Sequence, residues 1–185
     1  MTKIAVIGGG LSGIQAAVMT AKAGEETVVF DTGESLVQNT SNIKNLVGHD
    51  SVGGHELLRK GKDKLESFGG KIIDEKVVSL DRNEDSFTLS TEDSEYSSDY
   101  IIVASAGELD YLGDLVEFED GVEGPYMMEK HVVTDSANKA ADRIYAAGLA
   151  NTWEYQTSVA LGDGSKAAVN LLSKVYGEPY TDHDT

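Results

Sequence analysis

Apolar positions recur along this chain in two different periods. Near-continuous apolar runs at Lys3–Ile7, Thr27–Asp31, Lys71–Asp74, Tyr100–Ser105 and Ile144–Ala147 predict buried strands with helices covering both faces of their sheet. Three shorter β segments, at about Val77–Leu80, Ser86–Thr91 and Ser94–Tyr96, are separated by polar turn residues and predict a meander. The helical period begins after Gly10, where Ile14, Ala17, Val18 and Ala21 fall on one stripe, and Gly24 offers a left-handed stop. A second helix is predicted from about His55 to Phe68, with Leu58, Gly61, Leu65 and Phe68 on its inner face. A last helix carries Ala168, Leu171, Leu172 and Val175 inward and stops at Gly177 and Pro179.

Strand, helix, strand at the start is a βαβ unit, which requires parallel strands. The predicted class is therefore α/β, a Rossmann-like doubly wound parallel sheet with a three-stranded β-meander. No internal repeat, low-complexity segment or Pro-rich linker breaks the pattern, and Pro125 and Pro179 are the two prolines. Residues 1–185 read as a single domain.

Candidate chemistry sits at the first strand–helix junction. Val6-Ile7-Gly8-Gly9-Gly10-Leu11-Ser12-Gly13 places Gly8, Gly10 and Gly13 in the spacing G-x-G-x-x-G. Each glycine has a task in dinucleotide binding: Gly8 the tight turn, Gly10 the close approach of backbone to a pyrophosphate, Gly13 the close packing of helix on strand. Leu11 and Ser12 open the helix, whose free N–H groups and positive dipole end favour phosphate. Asp31, followed by Thr32, ends the second strand. Its carboxylate suits ribose hydroxyls and repels the 2′-phosphate of NADP. The fingerprint by itself does not separate FAD from NAD.

Charge and composition narrow the classes. Against 32 acidic residues stand 15 basic ones, for a formal charge of -17. Such a surface repels nucleic acid and anionic membranes, so no nucleic-acid and no membrane partner is expected. The acids are spread along the chain, a distribution that predicts adaptation to high salt. No run of about eighteen apolar residues predicts a membrane span. The N-terminus enters a strand pattern directly, so no signal peptide and a cytoplasmic location are expected. The chain has no cysteine, which excludes disulfides, thiolate nucleophiles, iron–sulfur ligation and a dithiol relay. His49, His55, His131 and His183 show no metal-ligand spacing.

The order of segments resembles the FAD domain of thioredoxin reductases, within the flavoproteins built from two dinucleotide-binding domains. Asn45-Leu46-Val47-Gly48 and Ser51-Val52-Gly53-Gly54-His55-Glu56-Leu57-Leu58 are similar to the family's Asn-aromatic-Pro-Gly stretch and its Gly-rich turn before Glu-Leu. Lys71 to Tyr100 is similar to its meander. Ile101-Ile102-Val103-Ala104-Ser105-Ala106-Gly107 resembles its strand ending in Ala-Thr-Gly, and Ile144-Tyr145-Ala146-Ala147-Gly148 its strand ending in Ala-Gly-Asp. Tyr155-Gln156-Thr157 through Gly162-Asp163-Gly164 resembles the run Arg-Gln-Ala to Ala-Gly-Asp-Gly. Short acidic chains of this pattern are similar to thioredoxin-reductase-like proteins of halophilic archaea.

The resemblance implies FAD as cofactor. It puts Asn45 on the flavin side, the Val77 backbone at the adenine, and Ser105, Ala106 and Gly107 along the cofactor. Gly148 then approaches a phosphate, while Gln156 and Thr157 offer backbone N–H groups to the flavin pyrimidine end, where a helix N-terminus stabilises anionic reduced flavin. It also implies a homodimer.

Departures from the family matter as much. Only about 25 residues, Glu108 to about Val132, stand where the family inserts its NADPH domain, too few for a second βαβ unit. The redox Cys-x-x-Cys is missing. Leu149 stands for the Asp that holds the ribityl chain, Tyr155 for Arg, and Ser105 for Thr, and the first of these implies weaker retention of FAD.

Two functions follow. One is a flavoprotein oxidoreductase with external electron donor and acceptor, such as free NAD(P)H or a redox partner protein. The other is a non-catalytic dinucleotide-binding or regulatory module. Thiazole-synthase-like chemistry is excluded by the lack of a sulfur-donating cysteine. Trp153, Tyr155 and Tyr111 are candidates to cover the flavin ring or ordinary core aromatics. No general base stands out, so the catalytic residues are unknown.

Overall fold

The computed structural model describes residues 1–122 and 128–182. Pro125 and His183 therefore lie outside the described residues. The chain runs β1 (Lys3–Ile7), α1 (Leu11–Lys22), β2 (Glu26–Phe30), α2 (Gly54–Ser67), β3 (Lys71–Ile73), β4 (Ser79–Arg82), β5 (Phe87–Ser90), β6 (Glu95–Ser98) and β7 (Tyr100–Val103). It continues through β8 (Phe118–Asp120), β9 (Lys130–Val132), β10 (Lys139–Ala141), β11 (Ile144–Ala146) and α3 (Thr157–Tyr176). Short 3-10 turns at Leu36–Asn39, Asp110–Leu115 and Gly148–Ala150 lie between them.

The main sheet has the order β10-β11-β7-β1-β2-β3. All of its pairings are parallel except β10 with β11. Along β1 the side chains alternate between two cores. Ile4 and Val6 join Ile14, Ala17, Leu58, Leu65, Ala168 and Leu171 under the three helices. Ala5 and Ile7 join Phe30, Leu80, Phe87, Leu89, Leu109 and Leu112 on the other face. That second face is covered by the antiparallel meander β4-β5-β6 and by the segment after β7, not by helices as expected. The apolar run along β1 required only that both faces be covered, and a half-apolar sheet does this as well as a helix.

Helix ends follow the chain's glycines. Gly24 adopts φ 90° just beyond the end of α1, and Gly177 caps α3 at φ 75° with its N–H on the Ser173 carbonyl at 3.0 Å. Phe68 departs from expectation. The helix stops at Ser67, Gly69 turns left-handed at φ 83°, and Phe68 is carried off the inner face to 37% exposure. Hairpin β8–β9 and edge strand β10 carry no sequence signal, because three residues are too few to display a period.

β1 is the point where the sheet order reverses, since its chain neighbour β2 lies on one side and β7 on the other. In open α/β sheets, ligands bind outside the carboxyl ends of the strands at such a point.

Candidate functional site

A cleft of about 620 Å³ opens at the carboxyl ends of β1, β2 and β7. That volume lies within the usual range for small-molecule and cofactor sites. Every cofactor-contact position expected from the sequence lines it except Gly13.

At the near end stands the glycine turn. Gly8 has φ 114°, and a Cβ on it would lie 2.5 Å from the Ala104 carbonyl oxygen. A Cβ on Gly13 would lie 1.9 Å from the Gly8 oxygen. Both glycines are thus demanded by the chain's own packing, which is why Gly13 is behind the cleft wall. Gly10 is different. A Cβ there would meet only the Ser35 hydroxyl, at 3.5 Å, which is ordinary contact. No packing within the protein requires glycine at that position, and the space belongs to the cleft. Gly10 also caps α1 with no side-chain hydrogen bond, leaving the first N–H groups of that helix open to a ligand.

Asp31 follows β2 directly, its N–H bonded to the Ile73 carbonyl at 3.0 Å. The carboxylate is 7% exposed. Its Oδ1 accepts the Gly33 N–H at 2.9 Å and its Oδ2 accepts Lys62 Nζ at 2.5 Å. Thr32 lines the wall beside it. Across the cleft, Val77 packs with the meander core, and its N–H has no partner among the described residues. Ser105, at the end of β7, shares a 2.9 Å hydrogen bond with the Tyr111 hydroxyl. Burial pushes the Tyr111 phenol well above its ordinary pKa, the Ser105 bond offsetting this in part, so it remains a neutral hydroxyl. Ala106 and Gly107 continue the wall, and the Gly107 N–H points at Met128 Sδ, 3.0 Å away. Lys76 and Glu108 pair at 3.0 Å over this side, both well exposed.

The far end is built by the 3-10 turn Gly148–Ala150 and the start of α3. Gly148 adopts φ 66°, and a Cβ on it would lie 2.3 Å from Ser12 Oγ. Its N–H donates to Asp163 Oδ2 at 2.7 Å, and the same carboxylate accepts Asn151 at 3.1 Å and Asn138 at 2.7 Å. Leu149 lines the cleft, and its carbonyl accepts His131 Nδ1–H at 2.9 Å. Gln156 is the N-cap of α3 with no side-chain capping bond, so the Thr157 N–H is left unclaimed at the cleft, whereas the Gln156 N–H, expected to face a cofactor, instead bonds the Glu154 carbonyl at 2.9 Å. Asn45 reaches this end, its amide donating to Gln156 Oε1 at 2.9 Å.

The three aromatic candidates separate. Tyr155 lines the cleft at 37% exposure. Tyr111 lines it too and packs against the meander-side cluster that contains Val77. Trp153 is 54% exposed and outside the lining. Lys62 and Asp163 escaped sequence reasoning as site residues. Asp163 stood inside a recognised Gly-Asp-Gly run. Lys62 belongs to Arg59-Lys60-Gly61-Lys62-Asp63-Lys64, a basic concentration in a chain with only 15 Lys and Arg, and that was the available signal.

The family model for glucose inhibited division protein A matches residues 3–87, the N-terminal part of the chain, which holds the glycine turn and Asp31. Thioredoxin reductase of Aquifex aeolicus is 33% identical over 128 residues, covering 62% of this chain and 40% of that protein. Thioredoxin reductase of Treponema pallidum is 25% identical over 152 residues, covering 75% of this chain and 49% of that protein. The chain thus spans under half the length of these relatives. Among solved structures, a thioredoxin reductase from Gloeobacter violaceus superposes with a TM-score of 0.80 at 16% identity, covering 100% of this chain and 98% of that one. At that identity the superposition speaks for the fold, and the sequence matches carry the kinship. The chain is thus similar to thioredoxin reductases in sequence and has the Rossmann-type fold of FAD/NAD(P)-binding domains.

Proposed function

We propose that this domain binds FAD along the cleft and serves as a flavoprotein oxidoreductase whose electron donor and acceptor are other molecules. The observation that carries this reading is the cleft itself: two helix N-termini, those of α1 and α3, open into one cavity with a buried carboxylate at its near end. A dinucleotide offers the matching chemistry of ribose hydroxyls for Asp31 and a pyrophosphate for the α1 terminus. The empty quadrant over Gly10 fits a phosphate approaching the backbone. At the far end, the N–H groups of α3 suit the electron-rich pyrimidine edge of a reduced flavin.

When bound, flavin supplies the hydride and electron transfer. The chain supplies the rest. Asp31 would anchor the ribose, the α1 terminus and the Gly148 turn would hold the pyrophosphate, and the start of α3 at Thr157 would orient the reactive ring. Without cysteine or a nicotinamide domain in the 108–132 segment, electrons enter and leave through free NAD(P)H or a redox partner protein. A soluble cytoplasmic homodimer is part of this proposal. Leu149 favours the second reading, a regulatory module that binds the dinucleotide without turnover, because an apolar side chain stands where the resemblance expects a ribityl acceptor.

The test is purification in molar KCl followed by absorption spectroscopy and acid release of the chromophore. The expected result is a yellow protein that yields FAD and not FMN, and that does not reduce thioredoxin with NADPH. A colourless protein that ignores added FAD overturns the flavin reading. The salt is chosen because a chain at -17 repels itself, and molar salt cuts the screening length to about 3 Å. The melting temperature is expected to rise between low salt and molar KCl; a flat or falling curve removes the high-salt adaptation.

A further inference from the structure

We propose that Lys62 is a positioning residue for the cofactor's adenosine half, its ammonium fixing the Asp31 carboxylate in the orientation that meets the ribose; this rests on the dinucleotide reading above. Asp31 is clamped from three sides. The Gly33 N–H holds Oδ1 at 2.9 Å, and Lys62 Nζ holds Oδ2 at 2.5 Å. The backbone of Gly9 closes the third side, where a Cβ would lie 2.1 Å from the Asp31 carboxyl carbon. A carboxylate held this way cannot rotate, yet each oxygen keeps acceptor capacity for a hydroxyl. Lys62 does not line the cleft, so it acts through Asp31 and not on the ligand.

The helices deliver Lys62 to that place. A Cβ on Gly61 would come within 2.6 Å of Ile14 Cγ2, so glycine at position 61 favours the close approach of α2 to α1. The next residue is thereby carried to the end of β2. The neighbouring cations are occupied within the helix, Arg59 with Asp63 and Lys60 with Glu56, each at 2.7 Å. Lys62 instead crosses to a different element, and its partner is 7% exposed. Electrostatics gives the pairing a second consequence. An uncompensated carboxylate beside a pyrophosphate would repel it, and the ammonium offsets that repulsion while leaving the acceptor geometry intact.

The test is a double-mutant cycle read by ligand affinity. Lys62→Met, Lys62→Arg, Asp31→Ala and the Asp31→Ala/Lys62→Met double variant are titrated with FAD, ADP and FMN, with melting temperature as a fold control. Lys62→Met is expected to weaken FAD and ADP alike by about three- to thirtyfold, the range of coupling between two groups in one ion pair. FMN, which lacks the adenosine, is unaffected, and Lys62→Arg recovers most of the loss. In the Asp31→Ala background, Lys62→Met changes FAD affinity less than twofold. Equal losses in both backgrounds, a matching loss for FMN, or no loss for FAD and ADP each overturn the proposal. A wild type that binds ADP but not FAD ends the flavin reading while the cycle on ADP still decides this one; a wild type that binds neither overturns both.

Discussion

At the near end of the cleft, each backbone turn is matched by a polar group aimed at a ligand: Gly8 and Gly10 by the open α1 terminus, and the end of β2 by Asp31 with its clamp of Gly33 and Lys62. At the far end, the turn Gly148–Leu149 is braced from behind by Asp163, Asn138, Asn151 and His131, but the side chain it presents to the cleft is leucine. The near end is both shaped and equipped, while the far end is shaped more than equipped. The difference teaches that conserving the course of a backbone and conserving its ligand chemistry are separate physical matters. Asp163 spends its carboxylate on holding the Gly148 turn, and that can persist whatever stands at position 149.

The strongest way to break this comparison is at the glycines. Gly13→Ala puts a methyl group 1.9 Å from the Gly8 oxygen, a backbone atom that cannot step aside. The expected cost is about 3 kcal/mol or more of fold stability, read as a large drop in melting temperature. Gly10→Ala, with only an ordinary contact to Ser35, is expected to leave the melting temperature within a degree or two of wild type and to weaken FAD by roughly tenfold. If both variants lose stability equally, Gly10 is a packing glycine and the near end is not reserved for phosphate.

Asp31→Ala tests the chemistry of the same end. Loss of charge-assisted hydrogen bonds to a ribose is expected to cost roughly 1.5–3 kcal/mol, or about tenfold to a hundredfold in FAD affinity, by fluorescence titration. Unchanged affinity would mean that the ribose lies elsewhere. Asp163→Ala is the counterpart at the far end. It strips the Gly148 N–H and two amides of their acceptor. Buried donors left unpaired cost about 1–3 kcal/mol, so chemical denaturation should show a loss in that range. ADP, whose ribose would meet Asp31 at the other end, should lose less affinity than FAD; an equal loss would tie the two ends together.

Sequence reasoning reached the βαβ start, the meander and about half of the cleft lining, because their signals are local. Glycine spacing, period-2 strands and a stripe at i, i+3, i+4 are all read within a dozen residues. It missed what depends on distance. Lys62 pairs with a residue 31 positions away across a helix contact that Gly61 favours. Tyr111 is one of three aromatic candidates, and no local signal separates it, in the cleft lining, from Trp153 outside it. Trp153 illustrates the opposite error, for an aromatic residue near a motif carries no information about which way it points, and this one faces outward.

The smallest expected effect tests the far end directly. Leu149 lines the cleft beside Gly148 and packs in part against the apolar cluster of Ala146, Ala150 and Val132. Its side chain accepts no hydrogen bond. Asn151, the nearest polar residue that could stand in for a carboxylate, is occupied: its amide nitrogen bonds Asp163 at 3.1 Å and its oxygen accepts Thr134 at 2.5 Å. A ribityl hydroxyl bound there would therefore lose an acceptor that no neighbour replaces. Leu149→Asp supplies one at the cost of some apolar packing and some repulsion from the nearby phosphates. A typical net hydrogen bond contributes about 0.5–1.5 kcal/mol, so FAD should bind several-fold tighter, measured by flavin fluorescence quenching in the same salt. ADP affinity should not rise and should fall slightly, because ADP carries the phosphates that the new carboxylate repels but no ribityl hydroxyl for it to accept. If Leu149→Asp weakens FAD instead, the far end has been rebuilt around an apolar side chain, and the flavin ring sits against Leu149 and not over the start of α3.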